Sequence, residues 1–299
     1  MNASVPPAGP EDIGTATSPP RNRNRVHPCL KTDIRRQILY SLRSFGAFLV
    51  IATCSHSALS AQALSPALRP QTAIVHVPFV GCESDGQVGP LEAPHDRSKA
   101  VSISVLVAQR LAFYKAENGF GTLAPRGWYC FSTYGSNGST LYVSPRPIKS
   151  ADLFSTDWKG FTGTVIQIST ENGDTSGRFG VAKIIARVFP AHMEFVRSVI
   201  AEEIEPANSF PSGPYPKDKL TYRTKEIVEY QTPPQTDGLG TNSRLLKNDT
   251  PISGVAILFG EEPNLLLLSI RLSPEMTDLA PAIIHQARRD AASFERREQ

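Results

Sequence analysis

The stretch Gly254–Leu272, GVAILFGEEPNLLLLSIRL, decides the fold. Two apolar runs flank Glu261 to Asn264, where charge, proline and asparagine read as a turn. A strand with one wet face alternates apolar and polar residues, and these two runs do not. They read as a hairpin covered on both faces, central in a sheet with helices above and below. The chain then closes on a helix starting near Pro274 to Thr277. Leu279, Ile283 and Phe294 mark its buried face, and Arg288, Arg289, Arg296 and Arg297 its wet one.

Working back from the hairpin, residues 232–253 (TPPQTDGLGTNSRLLKNDTPIS) form a long loop. Loops of that length are uncommon and often functional. Lys219 to Gln231 reads as one strand with a wet face or an edge, after a proline-rich connector over 205–218. Val181, Ile184, Ile185 and Val188 share a helical face, as do Phe195, Val196, Val199 and Ile200. Pro190 should split that helix. Thr164 to Thr170 is a strand, and ENGDTSG after it is a turn and helix start capped by Thr175 or Ser176. Gly127 to Pro145 is a hairpin, with WYCFSTY and STLYVS as strands about the turn residues GSNG. Ile103, Leu106, Val107, Leu111 and Tyr114 recur at helical spacing, which predicts a helix capped by Ser102 and ended at Asn118-Gly119. Ile74 to Val80 is a short strand, and residues 81–98 a loop. Strands outnumber helices and most strand pairs are hairpins. The expected class is α+β: an antiparallel sheet with helices packed on its faces, a helix–sheet–helix sandwich.

Pro125-Arg126-Gly127-Trp128 matches a P-x-G-W motif that opens the sheet in the PsbP/Mog1-like proteins. With the later apolar hairpin and closing helix, residues 120–299 resemble that family in element order. The family includes photosystem-associated and GTPase-binding members, so the resemblance implies a binding or accessory role and carries no catalytic residue. The whole chain is also similar to exported bacterial proteins of unknown function.

The amino-terminal end reads as a leader. Phe45 to Thr53 is an apolar run near half of the roughly 20 residues a spanning helix needs. Lys31, Arg35, Arg36 and Arg43 precede it, and Ala61-Gln62-Ala63 offers an A-x-A site with cleavage before Leu64. An uncleaved anchor, lipidation at Cys54 and twin-arginine export through Arg35-Arg36 are the rival readings. Residues 1–31 are proline-rich and too poor in apolar side chains to fold, and translation from Val26, Leu30 or Leu42 is an alternative start. The expected organisation is a disordered terminus and export signal over 1–63, then one globular domain over 64–299.

Of 31 Lys and Arg, seven precede Leu64; of 28 Asp and Glu, three do, which leaves 24 and 25 and a net charge of −1. The basic balance thus belongs to the leader. No basic stripe with interleaved aromatics points to nucleic acid. No second apolar run predicts a membrane span in the mature form. Cys82 and Cys130 remain, an even pair that reads as a disulfide in an oxidising compartment.

Catalytic patterns are sparse. There is no H-E-x-x-H, paired C-x-x-C, G-x-S-x-G, Walker loop or G-x-G-x-x-G, so no metal and no cofactor is expected. Arg178 at the helix start after GDTSG is a weaker candidate for holding an anion. A Cys82–Cys130 bridge would pin the 81–98 loop to the hairpin. Arg126, Trp128, Tyr134 and Asn137 then become the candidate ligand surface. The expected function is a non-catalytic binding or envelope-accessory module whose partner is an envelope protein or a small ligand. A secreted or periplasmic hydrolase with a site assembled from distant residues is the alternative.

Overall fold

β1 (Ala73–Gly81) runs through Cys82 into the short β2 (Ser84–Gly86). The structure is a computed structural model and describes residues 72–298; the expected cleavage residues Ala61, Ala63 and Leu64 lie outside them. β3 (Ser98–Ile103) returns antiparallel to the first part of β1, with Ala73 opposite Ile103 and Pro78 opposite Ser98.

The helix expected from the Ser102 cap to Asn118-Gly119 is corrected. A single turn, α1 (Val105–Ala108), is followed by β4 (Leu111–Lys115). The cap is Ser104, whose Oγ accepts from the Val107 amide at 3.3 Å. The apparent stripe fails because Leu106 is 75% exposed, whereas four successive residues from Leu111 to Tyr114 are buried. Successive burial of large side chains suits a covered strand and no amphipathic helix. β4 pairs parallel with the end of β1 and antiparallel with β5 (Thr122–Pro125), giving a four-stranded sheet ordered β3-β1-β4-β5.

β6 (Tyr129–Gly135) and β7 (Gly138–Ser144) form the expected hairpin. Gly138 has φ +137°, and a Cβ there would overlap the Thr170 carbonyl, so only glycine lets the turn approach the next strand. After the one-turn α2 (Ser150–Leu153) comes that strand, β8 (Val165–Glu171). α3 (Arg178–Val188) and α4 (Met193–Ala201) are split at Pro190. The single strand expected over 219–231 is two: β9 (Lys219–Tyr222) and β10 (Ile227–Thr232), paired antiparallel. Arg223 to Glu226 turns between them, with the Thr224 hydroxyl accepting from the Glu226 amide at 3.0 Å. β11 (Ile252–Phe259), β12 (Asn264–Arg271) and α5 (Ala280–Glu298) complete the chain. The second sheet has eight strands, ordered β2-β6-β7-β8-β12-β11-β10-β9.

The described residues therefore build a mixed α/β structure with two sheets instead of the one expected. Two contacts are parallel, β1 with β4 and β2 with β6. Both arise where the chain steps from one sheet to the other at Cys82, without turning back on itself. Cys82 and Cys130 are disulfide-bonded at that step.

The apolar hairpin divides its side chains between two cores. Val255, Ile257, Leu266 and Leu268 pack with Leu279 and Ile283 and with Val77 and Leu111 of the smaller sheet. Ala256, Leu258, Leu265 and Leu267 pack with Val181 and Ile185 of α3 and Val196 and Val199 of α4. Each fully buried leucine contributes about 2 kcal/mol of transfer free energy. Among the described residues, no helix is long and apolar enough to cross a membrane.

Candidate functional site

A cleft of about 1340 Å³ opens beside the smaller sheet. Four successive residues of β3, Lys99 to Ser102, form one wall, and β3 is an edge strand of its sheet. α5 supplies Gln286, Asp290 and Phe294, and the β6–β7 hairpin supplies Tyr134 and Ser139 beside its turn. Apolar surface comes from aromatic rings. Phe120, Phe259 and Phe294 pack on one another with centroids 5.3 to 5.7 Å apart. Phe79 and Phe113 form a second pair at 6.2 Å.

The polar groups on the walls fall into two kinds. Some are satisfied internally. Ser139 and Thr170 hydroxyls bond to each other at 2.9 Å, and the Tyr134 hydroxyl donates to the Gly89 carbonyl at 2.6 Å. Lys115 donates to the Ala116 and Glu117 carbonyls. Burial holds that ammonium below the ordinary lysine range, with Glu117 pulling the other way. The second kind is unsatisfied. Gln286 is 4% exposed, and its Oε1 has no hydrogen-bond partner. Asp290 directs Oδ1 at the Lys99 ammonium, 3.5 Å away, while its Oδ2 is buried without a partner. The Lys99 ammonium also lies over the Phe113 ring, 5.0 Å from its centroid.

Of the four residues expected to form a ligand surface, Tyr134 lines this cleft; Arg126, Trp128 and Asn137 do not. Arg126 donates from Nε to the Leu111 carbonyl at 3.0 Å and from Nη2 to the Ala108 carbonyl at 2.9 Å. Trp128 packs half-buried against the core beside Cys130. Its amide donates to the Tyr114 hydroxyl at 3.0 Å, and that hydroxyl donates to the Pro125 carbonyl at 2.7 Å. Gly127, with φ +78°, makes the corner between them. The P-R-G-W motif thus builds the β5–β6 turn. Asn137 lies in the β6–β7 turn, where its carbonyl accepts from the Asn172 amide at 3.0 Å.

Other sequence candidates are accounted for by their neighbours. The N-cap of α3 is Gly177 with no side-chain cap, and the Thr175 hydroxyl serves the preceding turn by bonding the Gly177 amide at 3.2 Å. Arg178 holds no free cation for an anion, because its Nη2 meets Glu202 at 2.6 Å and Nη1 donates to the Thr175 carbonyl. The 232–253 loop is held by Asp218, which accepts from the Leu239 amide at 2.7 Å and the Thr232 hydroxyl at 2.8 Å. Burial raises that carboxyl despite both bonds. Among the described residues, one serine–histidine contact occurs, on an exposed face, His76 Nδ1 to Ser98 Oγ at 3.1 Å, and no described carboxylate bonds the imidazole. Among the described residues, no histidine or cysteine lines the cleft, and no hydroxyl on its walls is bonded to a carboxylate. Among the described residues, no group of three His, Cys, Asp or Glu is placed to hold a metal ion.

Gln286 and Asp290 were not among the residues singled out from sequence. A signal for them exists. Ile283, Ala287 and Ala291 define the buried stripe of α5, in line with Leu279 just before it. Gln286 and Asp290 sit beside that stripe, four residues apart, where a structural helix would place apolar side chains. Compared with known protein families, with curated proteins and with solved structures, this chain matches none of them.

Proposed function

We propose that residues 64–299 are the mature part of an exported, non-catalytic binding module whose ligand occupies the cleft between β3, α5 and the β6–β7 turn. The observation that carries this reading is the pairing of a large aromatic-walled cleft with buried acceptors that nothing among the described residues satisfies. Ligand sites combine mostly apolar walls with a few placed polar groups, and this cleft has that composition. The walls bear no nucleophile bonded to a base, which is why binding is preferred to hydrolysis. Export rests on the leader pattern and agrees with an even cysteine pair in a disulfide. The accessory role implied by PsbP/Mog1-like proteins fits the same reading. So does a helix–sheet–helix layering with α5 on one face of the larger sheet and α3 and α4 on the other.

Titration of the full-length, 15N-labelled protein with a panel of small aromatic and polyhydroxylated fragments tests the site. Perturbed amides are expected to cluster at Lys99, Phe120, Tyr134, Ser139 and Gln286. Scattered perturbations, or turnover of chromogenic ester, phosphate or glycoside substrates, would sink the reading. Mass spectrometry of the product from the producing cells should find Leu64 as its first residue.

A further inference from the structure

We propose that the ligand of this cleft is a neutral oligosaccharide whose hydroxyl groups donate to Gln286 Oε1 and Asp290 Oδ2. The inference rests on the binding reading above and adds the ligand class. A buried acceptor without a donor costs about 1–3 kcal/mol, and native proteins retain few of them. Gln286 and Asp290 line the same wall one helical turn apart, and each carries one such acceptor with almost no surface open to solvent. A ligand that satisfies both must bring hydrogen-bond donors, which a carboxylate or phosphate group cannot supply.

Charge selects among donors. The Asp290 carboxylate already faces the Lys99 ammonium at 3.5 Å. Lys115 and Arg289 line the same cleft, opposed by Asp96 and Asp174, so formal lining charges balance. A second ammonium beside Lys99 would meet like charge with no spare carboxylate to neutralise it. A hydroxyl meets no such penalty. Sugar rings also present C–H faces, which suit the Phe120, Phe259 and Phe294 rings. Their remaining hydroxyls suit short uncharged groups such as Ser139, Thr170 and Asn172. The volume of about 1340 Å³ exceeds the roughly 300–1,000 Å³ of ordinary small-ligand pockets, which points to several rings in place of one.

The full-length protein is titrated with chitotriose, cellotriose and maltotriose, and in separate arms with anionic sialyllactose and with a capped tri-alanine peptide. At least one neutral trisaccharide is expected to bind and to shift the Gln286 side-chain amide. Gln286→Leu should weaken that binding at least tenfold while the melting temperature stays equal or rises, because an unsatisfied buried acceptor has been removed. Gln286→Met serves as a second variant of closer shape. The sugar class is overturned if none of the three trisaccharides binds, if only sialyllactose or the peptide does, or if both variants bind sugar unchanged. Fragments that map to the cleft in the absence of sugar binding would leave the binding reading standing. Cleavage of a bound sugar would remove the non-catalytic reading and leave the ligand class intact.

Discussion

Cys82 and Cys130 are joined where the chain leaves the four-stranded sheet for the eight-stranded one. On either side of the bond, backbone hydrogen bonds tie the passage to both sheets. The Cys82 amide donates to the Lys115 carbonyl at 2.9 Å, and the Ser132 amide donates to the Glu83 carbonyl at 3.0 Å. β2 has only three residues, so its place beside β6 depends heavily on this anchor. The bond separates positions 48 apart, and closing a loop of that length contributes about 4 kcal/mol in the chain-entropy model. The Cys82→Ser, Cys130→Ser double variant is expected to lose that amount in urea denaturation. It should also exchange the Ser132 and Gln87 amides faster. Equal denaturation midpoints with and without reductant would count against it.

The parts legible in the sequence share one physical basis. The 254–272 hairpin, the 127–145 hairpin and the break at Pro190 are each set by local chemistry: unbroken apolarity, turn residues and a missing amide donor. The 103–114 segment misled because helical spacing of apolar residues says nothing about exposure, and Leu106 turns out to be mostly in water. The second sheet was not legible because the β1–β4 and β2–β6 pairings are parallel contacts between distant strands, with no turn signature. The site was missed for a related reason. Its walls come from β3, the β6–β7 hairpin, the last helix and neighbouring loops, and no reactive residue or catalytic motif marks them. The informative residues were polar ones in a helix whose neighbours are buried.

Arg271 offers a second measurable consequence. It is 1% exposed at the end of β12. Its guanidinium donates to the carbonyls of Phe161 at 3.2 Å, Gly163 at 3.4 Å and Leu246. These acceptors belong to two segments that also bond to each other, the Leu246 amide donating to the Phe161 carbonyl at 2.9 Å. Burial holds the group below the ordinary arginine range, at about 10, so it stays charged at neutral pH. Replacing a buried cation with an apolar side chain can be neutral when its partner is replaced too. Here the partners are backbone carbonyls and cannot be replaced. Arg271→Met is therefore expected to destabilise by about 3 kcal/mol or more. Thermal unfolding measures the loss. Faster exchange of the Leu246 amide would locate it, and an unchanged melting temperature would contradict it.

Glu171 gives stability a pH dependence with a definite sign. It ends β8 and faces α3, where its carboxylate fills the space a side chain at Gly180 would need. Burial pushes its carboxyl up to about 7 from an ordinary 4.5, and Lys183 draws it down by less. The folded state therefore holds this proton more tightly than the unfolded chain. Its contribution is fully present below pH 4.5, is lost as pH rises to about 7, and is flat above that. At about 1.4 kcal/mol for each tenfold change in proton affinity, the loss comes to about 3 kcal/mol. Glu171→Gln keeps the shape and removes the ionisation. It is expected to match the parent at pH 4 and to exceed it by about 2–3 kcal/mol at pH 8. Urea denaturation of both proteins across that range is the check. Parallel stability curves would mean that the Glu171 carboxylate is not short of solvation and that the first turn of α3 leaves it open to water.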